Sequence, residues 1–191
     1  MSESRQAFVF KALLEMVFVA LGVFLAMAAD QWRTDRQHEE GARAALQRFK
    51  TEIEANKAAV EKVMDYHVQT RKAIIAYLNP KLRDTTSLKL NGLQPVNFEH
   101  TAWDLAIATQ ALADVDPAIA FELTRIYAQQ QMTAGLTAGL MQAMYLRPPT
   151  EQLIPFLHSV KVYYDDLMFQ EPALLESYAR VLPLIDRALK D

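Results

Sequence analysis

The residues able to do chemistry are few and scattered. His38, His67, His100 and His158 are the four histidines, and none lies within a helical turn of another. There is no H-E-x-x-H and no pair of E-x-x-H motifs, so neither a zinc site nor a di-metal bundle site is expected. The chain has no cysteine. That removes disulfides, thiolate nucleophiles and cysteine-ligated zinc. No glycine-rich phosphate loop and no G-x-S-x-G is present. The densest polar clusters are Tyr163-Tyr164-Asp165-Asp166 and Glu99-His100. Each could line a site if the bundle brought them together. At these spacings the clusters read first as solvated helix faces with a tyrosine at the core edge. An enzyme hidden here would depend on His100 and Asp165. The expectation is a non-enzymatic chain with no catalytic residue, no cofactor and no metal.

The composition supports that reading. Of 191 residues 51% are hydrophobic and 23% charged, ordinary values for a folded chain. The net charge of -3 gives no electrostatic footprint for nucleic acid. All eight prolines lie at position 80 or later, so nothing of that kind breaks the first 79 residues.

The most apolar stretch is Lys11 to Trp32, KALLEMVFVALGVFLAMAADQW. From Met16 to Ala29 no residue is charged, which as a helix spans roughly 21 Å against a hydrocarbon core of ~30 Å. Extending it to Ala12 gives about 27 Å and brings Glu15 inside. A cleaved signal peptide competes, with Ala26-Met27-Ala28 as a small-x-small site. Its basic region is long, however, and Glu15 opens its apolar core. A buried core helix fits less well, because the stretch is apolar around its whole circumference. We read it as an uncleaved anchor over 12–32, after a flank over 1–11. Trp32 is the interfacial anchor, and Lys11 snorkels one turn before Glu15. Glu15 is first a boundary marker. The plainer reading pairs it with Lys11, four residues before it, or simply protonates it, and the sharper one pairs it with a basic group on a neighbouring subunit.

A heptad follows. Ala42, Leu46, Phe49, Ile53, Asn56, Val60, Val63, His67, Thr70, Ile74 and Tyr77 alternate spacings of four and three, a coiled-coil-like seam. The pattern predicts a long helix over 33–79, nearly continuous with the anchor and bent if anywhere at Gly41. Asn56-type polar positions set register or partner choice in such seams. The plainer expectation for Asn56, His67 and Thr70 is a seam that becomes solvated towards its far end.

Residues 80–97 read as a polar loop. Residues 98–191 complete a helical bundle. One helix is expected over 98–113. Asp116-Pro117 opens the next, which runs to about Tyr145. A third is capped by Thr150, and a fourth restarts at Glu171-Pro172. Gly135-Leu136-Thr137-Ala138-Gly139 is a G-x-x-x-G in a helix too polar to span, so close packing of this helix against another is expected at Gly135 and Gly139. No hairpin or period-two signal argues for a strand. The fold class is all-α, an N-terminal transmembrane helix continuing into a long coiled-coil-like helix packed with about four more.

The run Leu21-Gly22-Val23-Phe24-Leu25-Ala26, then Ala29-Asp30-Gln31-Trp32, then a charged helix, resembles a family of uncharacterised bacterial single-span membrane proteins. Thr101-Ala102-Trp103 and Leu123 to Tyr127 are similar to that family's second segment. The resemblance implies a bacterial inner-membrane location with the helical domain in the periplasm. It implies no site residues. The Lys and Arg count of the two flanks differs by one residue and by itself leaves orientation undecided.

The function expected is therefore an accessory or assembly subunit, acting through the lipid bilayer, other membrane-protein subunits or self-association. Lys11, Glu15, Gly22, Trp32, Asn56, Gly135 and Gly139 are the contact candidates. The alternative is a membrane-anchored sensor whose bundle holds a small ligand near Trp103, Tyr127 and Tyr164.

Overall fold

A computed structural model describes the backbone of residues 3–81, 88, 90–148 and 152–190. At the N-terminus it describes side chains for Phe8 and from Leu14 onward. The chain is all-helical over those residues apart from its connections. Helix α1 spans Glu3–Leu78 without a break. Gly41 lies inside it, as the absence of proline allows. Helix α2 spans Thr101–Ala108, followed by a 3-10 turn at Ala111–Asp114. Helix α3 spans Pro117–Leu146 and α4 spans Leu153–Ala188.

The chain makes four passes. Helix α1 runs outward from the apolar stretch, and the connector, α2 and the 3-10 turn return beside it. His38 Nδ1 meets Asp114 at 2.8 Å, so the turn ends next to the foot of the bundle. Helix α3 then runs outward and α4 returns. Antiparallel pairing of α1 and α4 is fixed by Lys50–Asp186 at 2.5 Å, His67–Glu171 at 2.5 Å and Arg71–Asp165 at 2.6 Å.

Each helix pair uses a four/three row. In α1 every seam position from Ala42 to Tyr77 is buried or half-buried. In α4 the matching row is Leu157, Val160, Tyr164, Leu167, Glu171, Leu174, Tyr178, Val181 and Ile185, all buried. This row is unbroken across Pro172, and it corrects the expected restart there. Helix α4 is one element through Pro172 and Pro183. An interior proline costs about 3 kcal/mol through its missing N–H and its ring. Burying Leu167, Leu174 and Tyr178 on one continuous face contributes more, at ~1.5–3 kcal/mol for a large apolar side chain. Fewer helices than expected follow from this fusion. Thr150, the expected cap, lies outside the described residues, and Gln152 stands at the N-cap position instead.

Helix α2 is shorter than the expected 98–113. Its start is set by α1. Asn56 pairs with the backbone of Glu99, donating from Nδ2 to the carbonyl at 2.8 Å and accepting the N–H at Oδ1 at 2.7 Å. Glu52 accepts the Ala102 N–H at 2.7 Å, taking one of the free donors of the new helix. Its end is set by Gln110, whose φ of 59° leaves the right-handed helix. The α3 start is as expected: Asp116 accepts from Ala118 and Ile119 N–H, with Pro117 at the first helical position.

Two apolar cores result. The near core, closest to the apolar stretch, holds Leu46, Phe49, Ile53, Leu123, Ile126, Leu174, Tyr178 and Ile185. The far core holds Ile74, Leu140, Leu157, Val160, Tyr164 and Leu167. Buried polar residues lie between them, chiefly His67, Thr70, Gln130, Thr133 and Glu171.

Candidate functional site

Three regions hold the candidate side chains: the apolar half of α1, the polar seam and a cleft beside α2. In the first, every residue from Leu14 to Gln31 is exposed. This stretch is long and apolar enough to cross a membrane. A helix advances 100° per residue, so Glu15, Gly22, Ala26 and Ala29 share one face while Val17, Leu21 and Phe24 lie opposite. Glu15 is joined by no hydrogen bond or ion pair to another described residue. The Lys11 side chain lies outside the described residues, so its expected pairing with Glu15 does too. Trp32 is exposed at the end of the stretch, with the Arg36 guanidinium 4.9 Å from its ring centroid.

On the seam, the expected solvation towards the far end is corrected. Asn56, His67 and Thr70 are all buried. They are tolerated because partners reach them. His67 Nε2 lies 3.0 Å from the Gln94 carbonyl and 3.2 Å from that of Leu93. Both oxygens only accept, so Nε2 carries a proton. One further proton bridges His67 Nδ1 and Glu171 Oε1 at 2.5 Å, and the pair is net neutral whichever atom holds it. Tyr164 packs on the imidazole with ring centroids 5.5 Å apart. Tyr66 donates to the Gly92 carbonyl at 2.6 Å. The polar seam residues thus strap the connector to the α1/α4 groove. Glu171 Oε2 is buried without a partner.

The cleft has a volume of about 760 Å³ and lies between the connector, α2 and α3. Trp103 and Tyr127 form one wall, stacked with centroids 4.7 Å apart and planes inclined by 23°. Tyr127 donates to Glu52 Oε1 at 2.5 Å, which fixes the ring. Burial, and then the adjacent Glu52, push the Tyr127 phenol far above its ordinary value. Burial likewise pushes Tyr178 up to about 12. Gln130 lines the cleft and donates from Nε2 to Tyr178 at 3.0 Å, while its Oε1 is buried without a partner. His100 and Asp104 meet at 2.6 Å in an exposed position of the lining.

Trp103 and Tyr127, two of the three expected ligand neighbours, are therefore together. Tyr164 belongs to the far core with His67. His100 and Asp165 are apart: Asp165 pairs with Lys161 and Arg71. Lys161 first and then Arg71 hold its carboxyl below the usual aspartate range. Gly135 and Gly139 are exposed, and a Cβ at either would meet nothing within 4 Å. The expected close packing is thus not made with any of the described residues. Their small side faces solvent because Leu123, Ile126, Thr133 and Leu140 turn the opposite side of α3 inward. Among the described residues no cluster of three or more potential ligands could hold a metal ion.

Sequence reasoning missed Glu52, Gln130's free carbonyl and Glu171. Glu171 was legible in principle, four residues after Leu167 and three before Leu174. Glu52 lies beside the seam and carried no signal. Comparison with protein families, with curated proteins and with solved structures returns no match, and none of them bears on the resemblance drawn from Leu21 to Trp32.

Proposed function

We propose that this is a non-enzymatic single-pass protein of the bacterial inner membrane, with its helical domain in the periplasm. It acts as an accessory or assembly subunit by packing its span against another membrane protein. One observation carries the reading: the exposed apolar half of α1 gathers Glu15, Gly22, Ala26 and Ala29 on one face. Small residues let helix backbones approach closely in lipid. A carboxylate on the same face is costly in hydrocarbon and is most readily stabilised by a basic or hydrogen-bonding group on the neighbour. The bundle, by contrast, satisfies most of its polar groups internally.

The test is site-specific photocrosslinking in the native membrane. A photoreactive residue at Gly22 or Ala26 is expected to capture a discrete membrane protein, and one at Leu21 or Phe24 to capture lipid. Glu15→Gln is expected to abolish the Gly22 crosslink without changing insertion. Lipid adducts alone from both faces would overturn the proposal. Orientation is read separately, from the accessibility of an engineered cysteine at Glu176 to an impermeant reagent in intact cells.

A further inference from the structure

The cleft beside α2 has features that the proposed span contacts do not use. Its volume lies within the ~300–1,000 Å³ typical of small-molecule sites. Its aromatic wall is held in place from behind. Glu52 anchors both the Tyr127 hydroxyl and the Ala102 N–H, one residue before Trp103. Trp103 and Tyr127 also both contact Phe49, with ring centroids at 6.5 and 6.0 Å.

The polar lining is selective. It contains Asn97, Thr124, Gln130 and Gln131, with no lysine or arginine. The one other group able to carry positive charge, His100, is already paired with Asp104, so a phosphate or carboxylate ligand would find no free cationic partner here. The only carboxylate in the lining is Asp104, shared with His100. At the floor, Gln130 is 3% exposed. Its amide nitrogen is committed to Tyr178 on α4, which leaves the carbonyl without a donor. An unpaired buried acceptor costs about 1–3 kcal/mol unless a donor reaches it.

We propose that this cleft binds a small, flat, cationic nitrogen compound of the amidine or guanidine type. Its N–H donates to Gln130 Oε1, its plane lies against the Trp103–Tyr127 wall and its charge faces Asp104. Aromatic faces attract cations, so wall and carboxylate favour the same sign of charge. The site is independent of the span contacts and stands or falls separately from them.

The probe is benzamidine, with benzoate as a control of the same shape and opposite charge. The full chain carries Trp32→Phe, so that Trp103 is the only tryptophan. It is held in detergent micelles at pH 8. Benzamidine is expected to change Trp103 emission saturably, with a Kd on the order of 1 mM for a fragment of this size. Benzoate is expected to give no saturable change. Gln130→Leu should weaken benzamidine about tenfold, with its melting curve retained. Asp104→Asn, at an exposed position that leaves the fold intact, should weaken it several-fold. If Gln130→Leu does not fold, the Asp104→Asn titration decides alone. No saturable response to benzamidine by roughly 20 mM would overturn the proposal. So would an equal response to benzoate, or unchanged affinity in the folded variants.

Discussion

Helix α1 is two different molecules joined end to end. From Leu14 to Gln31 every side chain is exposed, and the apolar ones point in all directions. From Ala42 to Tyr77 the apolar residues form a single row, covered by α4 and the connector. Both halves carry polar groups inside apolar sequence. In the outer half these groups have partners: Asn56 holds Glu99, Glu52 holds Ala102 and Tyr127, and His67 holds Glu171 and the connector. In the inner half Glu15 has none among the described residues. A carboxylate in apolar surroundings therefore says nothing by its type alone. What surrounds it decides whether it completes a structure or awaits a neighbour.

The contrast can be broken most forcefully at the polar layer. His67→Leu leaves the Glu171 carboxyl buried without its imidazole. It should cost about 3–5 kcal/mol of bundle stability in chemical denaturation of the detergent-solubilised protein. The double variant His67→Leu/Glu171→Leu should recover most of that loss, because no buried carboxyl is then left without its partner. If the single and double variants were equally unstable, the pair would not be the source of the effect. Glu52→Ala comes next. It strips the Tyr127 hydroxyl and the Ala102 N–H of their acceptor and should cost about 2–3 kcal/mol. Unlike the first, it should also lower protection of the α2 amides in hydrogen exchange.

A smaller effect of opposite sign is expected on α3. Gly135→Ala and Gly139→Ala fill open space in a helix interior. Each should stabilise the bundle by about 0.5–1 kcal/mol. Destabilisation would mean that the two glycines face a close neighbour after all.

The smallest effect concerns pH. Asp165 in the folded chain titrates below its ordinary 3.8. Its ionised form is thus favoured by folding, and the contribution is whole at neutral pH. It is lost as pH falls below 3.8 and through the folded value. Asp165→Asn should flatten that acid limb of the stability curve while leaving the region above pH 5 parallel to the parent. An unchanged acid limb would place the titration elsewhere.

Much of this was legible in the sequence. The seam from Ala42 to Tyr77 carries its own register, and the Asp116-Pro117 start of α3 depends only on local chemistry. The errors share one cause, the use of local signals where tertiary contacts decide. Pro172 is a helix breaker by propensity, yet the row from Leu157 to Ile185 holds it in place. Residues 98 and 99 stay outside α2, and His100 only caps it, because Asn56, more than 40 positions away in sequence, has already engaged Glu99. The cleft was half legible. Aromatic residues near Trp103 invited the reading, but nothing local assigns Tyr164 to the other core or leaves Gln130 with a free carbonyl.

The continuity of α1 has a mechanical consequence. With the apolar stretch seated in a bilayer, as proposed, and no hinge between it and the bundle, the helix would act as a lever whose fulcrum lies there. Leu78 is about 84 Å from Gly22 along the helix axis at 1.5 Å per residue. If the span tilted by ~10° to match a thinner bilayer, the far end of the bundle would swing by roughly 15 Å at that arm length. A change in bilayer thickness of a few ångströms would thus be magnified into a displacement as wide as a helix.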